Sequence, residues 1–436
     1  MTVDPLLLAR IGLGATLSAA VVFATVAIGL GWMAAALALR HGAEGDAGWR
    51  RAHAGWTRLF ALSFALAALA AAGTLLQVET GWPGLAKAAG PAAAAIAGRE
   101  LPALLFLAGI VFTGAAMFGP SRLPQAAVTT ATVLAATMAT AAAVPLVALV
   151  AWMQTPAGFE LAGGAVRVTN PLAAFMNPSF PHRLVHLLIA SGLSAAFLMA
   201  GVTALRQLRG GRETGGTLRL AVAAAALLAP AQIASGYLHG QNTLLYQPAK
   251  IAAIAAHWTS SGHAPLVLVA WPDEAALANR LEVSIPDGAS LILRHRADGT
   301  VPGVDNYRGE HPPVAPVFFS FRIMAALGLL MLVAAWTAAG FLWRRGSLPR
   351  PVAALLSAMA LSGPVAVFFG WATAQVGRQP WAVAEVLRTA DAAAAPSAAW
   401  AALSLAGWLA FTCALAALWL AVLWRMATRD EAADVS

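Results

Sequence analysis

Residues 315–345 read Ala315-Pro316-Val317-Phe318-Phe319-Ser320-Phe321-Arg322-Ile323-Met324, then Ala325-Ala326-Leu327-Gly328-Leu329-Leu330-Met331-Leu332-Val333-Ala334-Ala335-Trp336-Thr337-Ala338-Ala339-Gly340-Phe341-Leu342-Trp343 and a closing pair, Arg344-Arg345. Between Ala315 and Trp343 the only charge is Arg322. A helix rising 1.5 Å per residue needs about 20 apolar residues to cross the hydrocarbon core, so this stretch predicts a spanning helix with a basic end. The same measure applied outward predicts about nine spans, at 11–38, 56–76, 93–118, 125–153, 183–206, 217–238, 315–343, 351–373 and 398–424. The first run is too long for a signal-peptide core and lacks a basic leader, so it reads as a retained first helix.

Composition agrees. The 436 residues are 60% hydrophobic and 11% charged, with mean hydropathy +0.72, whereas a soluble domain carries roughly 25% charged residues. The net charge of +8 comes from 27 Lys and Arg against 19 Asp and Glu. These bases fall in short loops, which points to membrane topology and away from nucleic acid. The single cysteine, Cys413, lies in an apolar run, which excludes a disulfide framework or a cysteine-based metal site.

Arg40, Arg50, Arg51, Arg122, Arg206, Arg209, Arg212, Arg219, Arg344, Arg345, Arg350, Arg425 and Arg429 fall in alternate connections. That side is expected to be cytoplasmic, with the N-terminus outside and the C-terminus inside. The chain then divides into helices 1–6 (1–238), a large external segment (239–314), and helices 7–9 with a short cytoplasmic tail (315–436). In the external segment, Leu281–Ile285 and Leu291–Leu293 read as short strands or half-buried loop pieces. A loop of this length is usually functional.

Of nine histidines, only His186 is expected well inside a span. An ionisable residue at depth is costly, so it is a candidate site; the alternative is a histidine bonded to a neighbouring helix. Spans 5 and 7 run the same way, and His186 and Met324 both fall roughly 5–15 Å below their outer ends. That match suits an imidazole and a thioether on one haem iron, although methionine also serves as a gap-filler. Arg322, two residues from Met324, either snorkels to the surface or meets an anion such as a haem propionate.

These residues sit in runs with a specific likeness. Trp152-Met153-Gln154-Thr155-Pro156, Arg183-Leu184-Val185-His186, Gln247-Pro248-Ala249-Lys250, Phe321-Arg322-Ile323-Met324 and Gly377-Arg378-Gln379-Pro380-Trp381 occur in this order. They resemble, from end to end of the chain, the motifs of subunit I of the cytochrome bd quinol oxidases. The resemblance implies an all-α integral membrane protein of the bacterial inner membrane and a respiratory quinol-oxidising role. It implies haem b held by His186 and Met324, with Arg183, Arg322, Gln379 and Trp381 around it. It also makes the 239–314 segment similar to the family's quinol loop. Lys250, with Arg378 and Trp381 near, would bind quinol; the plain alternative is a solvated loop lysine.

The resemblance also implies two further haems at an oxygen-reducing site, and here the chain departs. The first-helix histidine position falls at Ala20, and the third-helix glutamates fall at Leu101 and Gly109, with Glu100 one residue away. Acids expected at 75, 255 and 375 are Leu75, Ala255 and Gln375. High-spin b and d haems are therefore not expected. The leading expectation is quinol oxidation through one low-spin haem b. Electrons would then pass to a partner, either a subunit II-like protein or a complete subunit I paralogue. A haem-binding structural or assembly paralogue, or a full terminal oxidase with other ligands, are the alternatives.

Overall fold

Helix ends are written in the local sequence. Asp4 accepts the Leu6 amide at 2.9 Å and Pro5 opens the first helix, the arrangement that satisfies free amides at an N-terminus. The computed structural model describes residues 4–98, 100–163, 165–210 and 215–428. Arg212 and Arg429, and the tail beyond Thr428, lie outside the described residues.

In order the elements are α1 Pro5–Glu44, α2 Ala47–Gly81, α3 Pro83–Ala97, α4 Leu101–Phe118 and α5 Gln125–Trp152. Next come β1 Phe159–Ala162, β2 Ala165–Val168, α6 Pro171–Phe175, α7 Phe180–Leu208, α8 Gly215–Tyr246 and α9 Pro248–Ala255. They are followed by β3 Leu266–Asp273, β4 Ala278–Ile285, α10 Gly288–Arg294, α11 Val314–Arg345, α12 Arg350–Ala358 and α13 Ser362–Val376. The chain closes with β5 Trp381–Val383, β6 Leu387–Arg388, α14 Thr389–Ala392 and α15 Ala398–Thr428. Among the described residues, nine segments are long and apolar enough to cross a membrane, with α12 and α13 forming one of them. The strands make three two-stranded antiparallel hairpins.

Small residues let the helices meet backbone to backbone, as expected where lipid removes the hydrophobic drive for association. A Cβ on Gly29 of α1 would collide with the Ser191 carbonyl of α7, and one on Gly31 would stand 3.1 Å from Ala136 of α5. Gly201 of α7 meets Leu356 and Ala360, and Gly363 of α13 meets Ser194 of α7. α7 is thus the central helix, and residues 193–200 are buried throughout. Outward faces are apolar, as with Leu329, Leu330, Val333 and Trp336 of α11. The arginine-rich connections gather at one end, where Arg206 donates to the Met426 carbonyl and Arg219 to Gly346. The long segment between α8 and α11 caps the other, called the loop end below.

Four sequence expectations change. The third span is broken: Gly98, at φ +68, turns the chain between α3 and α4, a conformation natural to glycine. The eighth span is interrupted between Ala358 and Ser362. Leu281–Ile285 falls in strand β4, but Leu291–Leu293 belongs to helix α10. The sixth span, expected to end at 238, continues as α8 to Tyr246. His239 is therefore a helix residue, and His53, buried in α2 and 3.0 Å from the Thr132 hydroxyl, is another. His186 is not alone in the bundle.

Candidate haem and quinol site

α7 and α13 run antiparallel and touch at Ser194 and Gly363. From that contact His186 lies eight residues toward the loop end on α7 and Gly370 seven on α13, about 12 and 10.5 Å of rise. A Cβ on Gly370 would stand 2.7 Å from Met324 Sδ of α11. The imidazole and the thioether therefore occupy one level of the bundle. A second glycine, Gly236 of α8, meets the imidazole: its Cβ would lie 3.3 Å from His186 Cε1. Both side chains named as axial ligands are thus faced by glycines that leave them room.

Around the His186 ring, Gln232 Nε2 stands 2.9 Å from Nε2 and 3.3 Å from Nδ1, with Ser235 Oγ at 3.5 Å from Nδ1. The His239 ring packs edge-on at 5.6 Å. None of these α8 residues was singled out from the sequence. Their spacing, 232, 235, 236 and 239, is a one-face helical pattern, of which only His239 lay beyond the expected end of that helix at 238.

Toward the loop end the bundle holds buried cations, and among the described residues no Asp or Glu is buried. Lys250 is 4% exposed, in α9, so the reading as a solvated loop lysine is overturned. Its ammonium donates to the Gln154 and Gln247 side-chain carbonyls. Burial, then Arg183 and Arg378, hold it well below the ordinary lysine range. Burial, then Arg183, pushes Arg378 down to about 9. Arg378 Nε and Nη1 and Arg183 Nε are buried with no partner among the described residues. Gln154 joins the parts: its Nε2 donates to the Ala374 carbonyl at 3.1 Å, and its backbone carbonyl accepts Gln247 Nε2 at 3.0 Å. So α5, α9 and α13 close on one another above His186.

Three other expected residues are placed differently. The Arg322 guanidinium donates to the Val267 carbonyl of β3 at 2.9 Å and lies 4.5 Å over the Phe318 ring. It thereby ties the β3–β4 hairpin to α11. Gln379 Oε1 accepts the Thr389 hydroxyl at 2.8 Å. The Trp381 ring lies under Arg388 at 4.8 Å. Both hold the turn after α13, and neither is placed against His186 or Met324.

At the positions corresponding to the oxygen site the interior is filled. A Cβ on Gly109 would stand 2.8 Å from Phe64 Cζ, and Phe64 packs on Phe60 and on Phe106 at 5.9 and 4.6 Å. Ala20 packs on the same core, Glu100 is exposed at the α3–α4 bend, and Leu75 and Leu101 face outward at 64% and 52% exposure. Of these side chains only that of the exposed Glu100 could ligate a metal.

The family model for cytochrome bd terminal oxidase subunit I matches residues 8–431. The chain belongs to this family. It is similar to cytochrome bd ubiquinol oxidase subunit 1 of Bacillus subtilis, 26% identical over 408 residues, covering 88% of this chain and 85% of that one. The cytochrome bd-II ubiquinol oxidase subunit 1 of Escherichia coli is 25% identical over 427 residues, with 77% and 79% covered. Among solved structures, the bd oxidase from Geobacillus thermodenitrificans superposes with TM-score 0.89 at 26% identity, over 98% of each chain. The protein is thus a bd-type subunit I of the bacterial cytoplasmic membrane, from a family of haem-binding quinol oxidoreductases.

Two features of the residues present fit a haem at His186 and Met324. Glycines stand against both side chains. The unpartnered Arg183 and Arg378 nitrogens want anions, which carboxylate side arms supply by charge-assisted bonds.

Proposed function

We propose that this chain oxidises quinol at its loop end and passes electrons through one low-spin haem b to a partner subunit. In this reading the loop end faces outside, with the N-terminus there and the C-terminus in the cytoplasm. The observation that carries it is the pairing of His186 and Met324 at one level, beside filled positions at Ala20 and Gly109. Bound there, the haem supplies a one-electron carrier with a potential raised by thioether ligation.

The residues divide the remaining work. His186 and Met324 would hold the iron, and Arg183 and Arg378 would hold the carboxylate side arms. Lys250 donates to a quinol oxygen in place of one of its two amide partners. Oxidation of one quinol releases two protons and two electrons, and the protons leave toward the loop end without crossing the bundle. Ala255 and Gln375 provide no carboxylate to take them, so water or a loop group must. That deficit also favours the second reading, a haem-binding assembly paralogue without turnover.

The test is a reduced-minus-oxidised spectrum of the purified chain and of His186→Ala and Met324→Ala. One low-spin b signal is expected in the parent, lost or converted in each variant. An unchanged spectrum in both variants removes the ligand assignment. Haem reduction by added quinol separates turnover from the assembly reading.

A further inference from the structure

Gln232, Ser235, Gly236 and His239 repeat along one face of α8 at the spacing that stacks side chains on one side of a helix. All four meet the ring of His186. The closest backbone approach is at Gly236, beside Cε1, the carbon between the two ring nitrogens. From that edge the Gln232 amide reaches either nitrogen, at 2.9 and 3.3 Å.

Two unmet groups meet here. The Gln232 Oε1 atom is buried with no partner. An imidazole bound to iron gives one nitrogen to the metal and keeps an N–H on the other, and that N–H needs an acceptor. Ser235 Oγ, at 3.5 Å, lies at the limit of a hydrogen bond. A half-turn of the Gln232 amide exchanges its NH₂ and oxygen at nearly equal volume. The oxygen then faces the ring and accepts its N–H, while the NH₂ takes the buried place that the oxygen held.

We propose that Gln232 is a positioning residue of the low-spin site, accepting the free N–H of the His186 ring and so fixing its tautomer and tuning its donation to iron. This rests on the reading of His186 as a haem ligand. An acceptor on the distal N–H raises the basicity of the ligand, which favours the ferric state and lowers the midpoint potential. Loss of the acceptor does the reverse. A carboxylate, a stronger acceptor than an amide, goes further in the first direction.

The experiment is a redox titration of the haem in Gln232→Leu and Gln232→Glu, followed by the optical band and not by turnover. The Leu variant is expected to raise the potential and the Glu variant to lower it. Each shift should be about tenfold in the one-electron equilibrium, or about 59 mV. Opposite signs are the signature, and the Leu variant is the deciding arm, because it removes the acceptor without adding a charge. If the Leu variant loses its haem, Gln232→Met, close in size and without an amide oxygen, takes its place, and a raised potential there supports the assignment. Potentials unchanged, or moved in the same direction, overturn it. Loss of haem from both variants also overturns it, placing Gln232 in the walls of the pocket and not in its tuning. A parent chain without a low-spin signal would instead strike the haem reading itself.

Discussion

Gly370 has no side chain because Met324 needs the space: a Cβ would stand 2.7 Å from the sulfur. A branched side chain there cannot be absorbed without moving the thioether, and overpacking of this kind costs about 1–3 kcal/mol. Gly370→Val is therefore expected to convert a low-spin His/Met spectrum to a high-spin or altered one. Gly340→Ala on α11, where a Cβ meets nothing within 4 Å, should leave it unchanged. Equal spectra in the two variants would mean that Met324 is not held from the α13 side. At the same scale, Arg322 shows how one charge at depth is settled. Sequence offered it solvent or an anion, and the fold supplied a backbone carbonyl of β3, 55 positions away, which no local pattern reveals.

The β3–β4 hairpin is the element that this arginine anchors. Its second tie is Glu274, whose carboxylate accepts the Val314 amide at 2.6 Å and so caps α11. The turn beyond, Ala275 to Leu277, is exposed. If quinol enters beneath the hairpin, a protease site placed at Ala275-Ala276 and then cut should leave the haem spectrum intact. Haem reduction by quinol should slow roughly tenfold or more, since small misplacements of positioning groups have effects of that order. A cut protein reduced at the parent rate would put electron entry elsewhere. The neighbouring α8 carries the other element-scale lesson. Its eight residues past 238 bring His239 against His186 of α7 and Asn242 to the Pro178 carbonyl just before that helix. Polar residues there hid the continuation, because hydropathy marks where lipid ends and not where a helix ends.

For the molecule as a whole, the filled positions around Phe64 and Gly109 and the absence of a histidine between residues 11 and 38 of α1 bear on oxygen. The isolated chain, free of other haem subunits, is expected to show no quinol-driven oxygen uptake and no chlorin-type band. Robust uptake would require a second metal site built from other residues. Among the described residues no cluster of three or more His, Cys, Asp or Glu side chains is placed to hold a metal. The electrons then need an acceptor, and the subunits that co-purify with the chain identify it.

The sequence by itself determined the nine apolar segments, their alternating arginines and the motif order, because span length and loop charge are local properties set by the bilayer. It also named His186, Met324, Lys250, Arg183 and Arg378. What it left undecided depends on contacts between segments far apart in the chain. The tertiary structure alone decided that Lys250 is buried on Gln154, that Arg322 serves the hairpin, and that Gln379 and Trp381 brace a turn. It alone brought Gln232 and His239 to His186. The physical reason is that a buried polar group must find its partner wherever the fold places one, and only helix packing sets which groups meet.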